Sequence, residues 1–194
     1  MCKHFDLTAT QAHKSLSHIL LRAYSGELAA AHAYHGHWQS VRCAQEKEKI
    51  KAIEKEELEH RLAVGQILKD LNVQPEKARE IYMTLIGLSI ALLCRFGGWF
   101  IPMYGAGKLE FGNVAEYEHA ARYAWLADLP QYVDALLEMA EVEWDHESYF
   151  HTKIKQHWLY NIAPIWGQLP PRSQIRSSFN TFCEKHAEIL TNIH

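Results

Sequence analysis

The chain has 194 residues, 48% of them hydrophobic, and a formal net charge of -3. This length suits one domain with a core that needs no disulfides, and the interspersed acids and bases exclude the basic footprint of a nucleic-acid-binding protein. The cysteines, Cys2, Cys43, Cys94 and Cys183, form no Cys-x-x-Cys pair, which excludes a zinc knuckle and a rubredoxin-type iron site.

The first ten residues lack the apolar core of a signal peptide, so we expect a reduced, cytoplasmic protein. A first helix is predicted from Thr10 to Gln39, because apolar side chains recur there at spacings of three and four. That apolar face comprises Leu16, Leu20, Ala23, Glu27, Ala31, Tyr34 and Trp38. Glu27 therefore occupies a core position, where a carboxylate is normally neutralised, paired or bound to a metal.

A second helix is predicted from Ala44 to Leu71, with Asn72 and Pro75 ending it. Its apolar face runs through Ile50, Ile53, Glu57, His60, Val64, Ile67 and Leu71. Glu57 and His60 are the polar residues on this face. Glu27 and Glu57 each lie about 14 residues from the intervening turn, so an antiparallel hairpin would bring the two carboxylates to one level.

The long connection from Val73 to Phe111 is strongly apolar, but Arg95, the Gly97-Gly98 pair and Pro102 argue against a single transmembrane span. We expect a crossover helix packed against a bundle. The alternative is a surface that contacts a membrane or a lipid substrate, which would place the protein peripherally on the inner face of the membrane.

Two further helices are predicted on either side of a turn at Leu129-Pro130. The first has a weak apolar face through Leu109, Gly112, Glu116, Ala120 and Tyr123, and the second a stronger one through Val133, Leu136, Ala140, Glu143, His146, Phe150 and Ile154. Glu116 and Glu143 lie at similar distances from this turn, so an antiparallel hairpin would bring them to one level. Glu118 is expected to pair with Arg122 at the surface, and His119, although it completes a Glu-x-x-His with Glu116, is expected to lie outside the site.

The remainder is predicted to be a proline-containing linker and a last short helix over 173–193, which caps the bundle or forms a subunit contact. We therefore divide the chain into a four-helix bundle domain, residues 1–160, and a C-terminal extension, residues 161–194.

Four inward acids and two Glu-x-x-His pairs are the ligand set of a di-iron or di-manganese carboxylate bundle. One such acid alone is more simply a partly exposed glutamate or one paired with lysine. All six positions together predict two divalent ions, iron or manganese, held by Glu27, Glu57, His60, Glu116, Glu143 and His146. Glu56, Glu59 and Asp145 are equal candidates to accept the second ring N–H of a ligating histidine.

This pattern resembles the ferritin-like superfamily and, over roughly Leu20 to Ile154, is most similar to the demethoxyubiquinone hydroxylases. The resemblance implies an all-α ferritin-like four-helix bundle and a di-iron monooxygenase. It also implies a catalytic role for Tyr123, a hydrophobic quinol-like substrate, dioxygen, an external electron donor and peripheral membrane contact. A homo-oligomer is a further expectation.

The aromatic segment 98–104 and the short second hairpin depart from that family, so the substrate stays open. The competing function is that of a ferritin- or rubrerythrin-like protein that binds and oxidises iron or removes peroxide. A helical binding module with a degenerate metal site is the third reading, and it requires that no metal binds.

Overall fold

The computed structural model describes residues 8–192, with side chains described through Ala187. Over this range the fold consists of helices and connecting turns, which confirms the all-α prediction. Its α-helices are α1 (Ala9–Ser40), α2 (Ala44–Asp70), α3 (Lys77–Cys94), α4 (Phe100–Leu126), α5 (Val133–Ile154) and α6 (Ser173–Asn192). Short 3₁₀ turns cover Pro130–Tyr132 and Trp158–Asn161. Cys2 and the last two residues lie outside the described range.

The helix boundaries follow from local chemistry. Thr8 caps α1, because its side chain accepts from the backbone N–H of Gln11 while the Gln11 side chain accepts from the Thr8 backbone. Asn72 takes a left-handed conformation, φ 55°, directly after α2, as the sequence predicts for that helix end. The apolar connection breaks at residues 95–99, between α3 and α4, where Gly98 has φ 65°.

Helices α1 and α2 form one antiparallel hairpin and α4 and α5 form another. Helix α3 is the crossover between them and packs chiefly on α1. Gly36 lies against Ala91 and Gly87 against Ala29, so closely that a Cβ on either glycine would overlap its neighbour. The absence of two side chains therefore allows α3 to lie flat on α1.

The interior has two apolar clusters, one toward each end of the bundle. The first includes Leu20, Val64 and Leu136, and the second includes Ile53, Met103 and Phe150. Helix α6 contributes Ile175 and Phe179 to the first cluster. All four bundle helices pass from one cluster to the other, and the acids and histidines discussed below lie between them.

The outer surface of α3 and of the start of α4 is apolar. Exposed side chains there are Ile81, Tyr82, Leu85, Leu88, Leu92, Leu93, Phe96 and Ile101. Within residues 8–192, none of the helices has the length and apolar character needed to cross a bilayer.

Candidate metal centre

A layer of six polar side chains crosses the middle of the bundle. We call it the polar layer, and it consists of Glu27 from α1, Glu57 and His60 from α2, Glu110 from α4, and Glu143 and His146 from α5. Each of the six is at most 7% exposed. Lone carboxylates at such depth are costly, so this layer needs positive charge or protons.

The polar layer divides into two groups that share two members. In the first group Glu27, Glu57, His60 and Glu143 bring one ligand atom each to within 4.8 Å of one another. In the second group Glu57, Glu110, Glu143 and His146 do the same. These buried groups could hold a metal ion, and Glu57 and Glu143 stand between the two positions.

Several polar atoms of this layer have no hydrogen-bond partner among the described residues. They are Glu27 Oε2, both carboxylate oxygens of Glu57, and His146 Nδ1. His146 Nδ1 lies 3.3 Å from Glu57 Oε1, yet the geometry is not that of a hydrogen bond. Buried polar atoms are almost always paired, so four orphaned atoms at one level fit a bound cation.

Neighbouring side chains hold several of these groups in place. His146 Nε2 lies 2.6 Å from Glu56 Oε2, which leaves Nδ1 facing the layer. Of the three acids considered from the sequence for this role, Glu59 instead pairs with Lys55 and Asp145 with Arg172. His60 Nδ1 lies 3.0 Å from Glu143 Oε1.

Glu27 and Glu110, which we call the outer acids because each belongs to only one group, both accept a hydrogen bond from a buried tyrosine. The hydroxyl of Tyr34 on α1 donates to Glu110 on α4, and the hydroxyl of Tyr117 on α4 donates to Glu27 on α1. Asn113 adds a second donor to Glu110, at 2.8 Å. Each outer acid thus has one oxygen held by a tyrosine from the opposite helix.

The titration behaviour reflects the crowding of negative charge. Burial and the neighbouring carboxylates raise the pKa of Glu27 to about 7 and raise the pKa values of Glu57 and Glu110 well above the ordinary range. Burial also disfavours the charged form of Glu143, but the adjacent imidazoles of His146 and His60 outweigh the effect of burial and lower its pKa. Metal ions bound at this level would displace the protons that these carboxylates otherwise retain.

Both histidines of the layer favour positive charge. Burial disfavours the imidazolium of His146, yet the nearby carboxylates of Glu143, Glu56 and Glu57 raise its pKa to about 12. The same competition, with Glu143 as the main partner, raises the pKa of His60. The layer therefore attracts cationic charge from either protons or metal ions.

The structure brings five of the six residues predicted from the sequence into the polar layer: Glu27, Glu57, His60, Glu143 and His146. Glu116 lies outside both groups. It is one-quarter exposed and its carboxylate lies 3.7 Å from Arg22, so the surface pairing expected for an ordinary helical glutamate applies to it. Glu110 takes the place predicted for Glu116.

The correction has two physical causes. Helix α4 ends at Leu126, before the turn assumed at Pro130, so Glu110 lies about 24 Å and Glu116 about 15 Å from that end. Glu143 lies about 21 Å beyond Pro130 once the 3₁₀ turn is included. In addition, the buried face of α4 runs through Glu110, Val114, Tyr117, Ala121 and Ala124.

The other α4 residues considered from the sequence, His119, Glu118 and Tyr123, lie outside the polar layer. His119 is exposed, as expected. The predicted pairing of Glu118 with Arg122 is wrong: Glu118 accepts from Ser178 of α6 at 3.2 Å, Arg122 also contacts Ser178, and Glu118 lies outside both groups. Tyr123 lines a surface cleft with Lys14 and His18, and His18 is about 13 Å along α1 from Glu27. The tyrosines that contact the polar layer are Tyr34 and Tyr117.

A repeated spacing in the sequence reduces the choice of acid and tyrosine on α4 to two registers. Glu27 and Tyr34 are separated by six residues, and so are Glu110 and Tyr117. Each pair precedes a Glu-x-x-His on the next bundle helix, so both hairpins carry Glu-x₆-Tyr followed by Glu-x-x-His. Glu116 and Tyr123 have the same spacing, so the internal repeat leaves two registers for α4 and packing selects between them.

Among the described residues, two cavities lie between α1, α3 and α4 near the polar layer. The first, of about 230 Å³, reaches Glu27 and Tyr117 and has Arg22, Arg79 and Glu116 in its wall; we call it the polar-walled cavity. The second, of about 330 Å³, has Tyr34 in its wall and is otherwise mainly apolar; we call it the apolar cavity. Small molecules could therefore approach the layer on the α3 side.

Comparisons with protein-family models, curated proteins and solved structures found no match.

Proposed function

We propose that the polar layer binds two iron ions, with manganese as the alternative metal. Glu57 and Glu143 would belong to both sites, Glu27 and His60 would complete one site, and Glu110 and His146 would complete the other. The observation that carries this proposal is that the two groups share two glutamates. Four carboxylates would balance two divalent charges, and this is the donor set of ferritin-like di-metal bundles.

We further propose that the protein is a di-iron oxidoreductase, a hydroxylase of a hydrophobic substrate. Iron in such a site supplies the chemistry of dioxygen activation. The protein's own residues orient and insulate that site: Glu56 fixes His146, the two tyrosines hold the outer acids, and the apolar clusters exclude water. Support comes from the apolar cavity beside Tyr34 and from the resemblance to demethoxyubiquinone hydroxylases.

The second candidate function is that of a ferritin- or rubrerythrin-like ferroxidase or peroxide-removing protein. The polar-walled cavity favours it, because Arg22, Arg79 and Glu116 lead directly to Glu27. A passage of about 230 Å³ with charged walls suits a small polar reactant better than a quinol-like ring.

The exposed apolar surface of α3 supports a peripheral contact with a membrane surface, from which a hydrophobic substrate could reach the polar layer. Liposome flotation tests this: wild-type protein should float with the vesicles, and a Leu85→Glu, Leu92→Glu variant, altered at two exposed positions, should not. Equal flotation of both proteins would contradict a contact through α3.

Metal and oxygen measurements distinguish the candidate functions. Aerobically purified protein should contain about two iron ions per chain. Oxygen consumption that depends on a short-chain reduced quinol would support the hydroxylase, and consumption of peroxide with iron(II) alone would support the second candidate. Protein that takes up neither iron nor manganese would overturn both.

A further inference from the structure

The apolar cavity has a buried floor and an exposed rim. Tyr34, His37 and Cys94 form part of the floor, and each is at most 6% exposed. Leu93, Ile101 and Leu109 belong to the rim, where between 48% and 64% of each residue's surface is exposed. The cavity therefore narrows from an accessible apolar opening to an enclosed end.

His37 gives this enclosed end one unpaired polar atom. Its ring stacks near Tyr34 and Phe150, and its Nε2 is buried without a hydrogen-bond partner among the described residues. Leaving such an atom unpaired is unfavourable, so a ligand that pairs with it would gain affinity. Burial lowers the pKa of His37 to about 4, so the ring is neutral at pH 7 and has one donor and one acceptor nitrogen.

The volume and lining suit one class of ligand. About 330 Å³ lies at the small end of the range for ligand pockets. The wall is formed by aliphatic side chains, small residues, the Tyr34 ring, the Cys94 thiol and one imidazole, and it carries no charged side chain. A suitable occupant is mainly apolar and has one hydrogen-bonding group at its inner end.

We propose that the apolar cavity binds a small, uncharged aromatic or aliphatic molecule whose single hydroxyl or carbonyl group hydrogen-bonds to His37 Nε2. Tyr34, which donates to Glu110, stands between this ligand and the polar layer. That this ligand is the substrate rests on the proposed hydroxylase function. The binding site itself rests on the cavity and His37 alone.

Isothermal titration of the metal-loaded protein with 4-pentylphenol tests the proposal. Wild type should bind one molecule per chain. His37→Phe keeps an aromatic ring beside Phe150 but removes the nitrogen, and it should raise Kd about tenfold. Gly105→Leu adds a side chain at a wall position where a Cβ meets nothing within 4 Å, and it should raise Kd at least about tenfold.

Gly112→Leu is the matched control. It makes the same change two turns further along α4, at another glycine with open space around its Cβ and outside the walls of both cavities. Its Kd should equal that of wild type. Absence of binding to wild type, or equal Kd values for wild type and Gly105→Leu, would overturn the proposed site.

Metal content of the same samples separates this proposal from the proposed function. If 4-pentylphenol binds with the expected variant pattern but no metal is taken up, the binding site stands and the proposed hydroxylase function fails. If two metals bind but the phenol does not, the metal centre stands and the apolar cavity is not its ligand site. Should His37→Phe fail to fold, the Gly105 and Gly112 variants still decide.

Discussion

Helix α5 carries two buried glutamate–histidine pairs, one turn apart, and they differ in how their polar atoms are paired. Glu143 and His146 belong to the polar layer, where His146 Nδ1 and both oxygens of Glu57 have no hydrogen-bond partner among the described residues. Glu147 and His151 are also buried, at 3% and 6% exposed. In that second pair none of the side-chain atoms is buried without a partner.

The second pair is completed by the chain that follows α5. Glu147 Oε1 lies 2.8 Å from His151 Nδ1 and accepts from Trp166 Nε1 at 2.7 Å. His151 Nε2 lies 3.4 Å from the Tyr160 hydroxyl. These contacts fasten the segment after α5 to the bundle. Buried carboxylate and imidazole groups therefore do not indicate a metal site by themselves; the unpaired atoms do.

The largest effect should follow from removing the two shared acids. A Glu57→Ala, Glu143→Ala variant should lose both metals, from about two per chain to none, because each belongs to both groups. Metal analysis of the purified protein checks this. A Glu147→Ala variant, the matched change in the paired site, should be less stable but should keep both metals. Undiminished metal in the double variant would contradict the assignment.

A smaller loss should distinguish two glutamates on α4. Glu110→Ala should remove at least one metal and any metal-dependent oxygen uptake, because Glu110 completes the second group. Glu116→Ala should keep both metals, because Glu116 pairs with Arg22 at the surface. Metal stoichiometry with oxygen uptake measures both. The reverse outcome would restore the helical register predicted from sequence and would displace Tyr117 from the layer.

Removing the metals should make the free energy of unfolding depend on pH. The folded-state pKa of Glu27, raised from 4.5 to about 7, means that the metal-free fold binds more protons than the unfolded chain between these values, so its stability falls as pH rises through this window. Glu57 and Glu110 act in the same direction. Below pH 4.5 the lowered pKa of Glu143 begins to act in the opposite sense.

Metal-free protein should accordingly be less stable than metal-loaded protein at pH 7.5, and the difference should shrink toward pH 5 as the acids take up protons and metal affinity weakens. Urea unfolding of both forms across this range measures the difference. Coincident curves for the two forms at pH 7.5 would exclude a metal site in the core.

The smallest effect should come from removing a tyrosine hydroxyl that donates to an outer acid. Tyr117→Phe removes the donor to Glu27 and should weaken metal binding about tenfold, as is usual when a partner of a ligand is lost. Tyr123→Phe, six residues along the same helix, should leave metal affinity unchanged because Tyr123 lies in a surface cleft near His18. Competition with a chelator gives both affinities. Equal weakening by the two changes would indicate a general effect on α4.

The sequence alone determined the helices and most of the polar layer. In α1, α2 and α5 large apolar side chains recur regularly at spacings of three and four, so a glutamate or histidine on that face is predicted to be buried. This spacing predicts five residues of the layer: Glu27, Glu57, His60, Glu143 and His146. The antiparallel level-matching of Glu27 and Glu57 follows from helix rise and a short turn.

Tertiary structure decided the rest, because the remaining choices depend on neighbours that are distant in sequence. Helix α4 is rich in glycine and alanine, so its apolar pattern is weak, and packing against α1 and α5 selects Glu110 and Tyr117 over Glu116 and Tyr123. The choice of Glu56 as the partner of His146 depends on how α2 faces α5 across the bundle, 90 residues apart in sequence. Helical periodicity ranks the faces of one helix, whereas contacts between helices decide which face is buried.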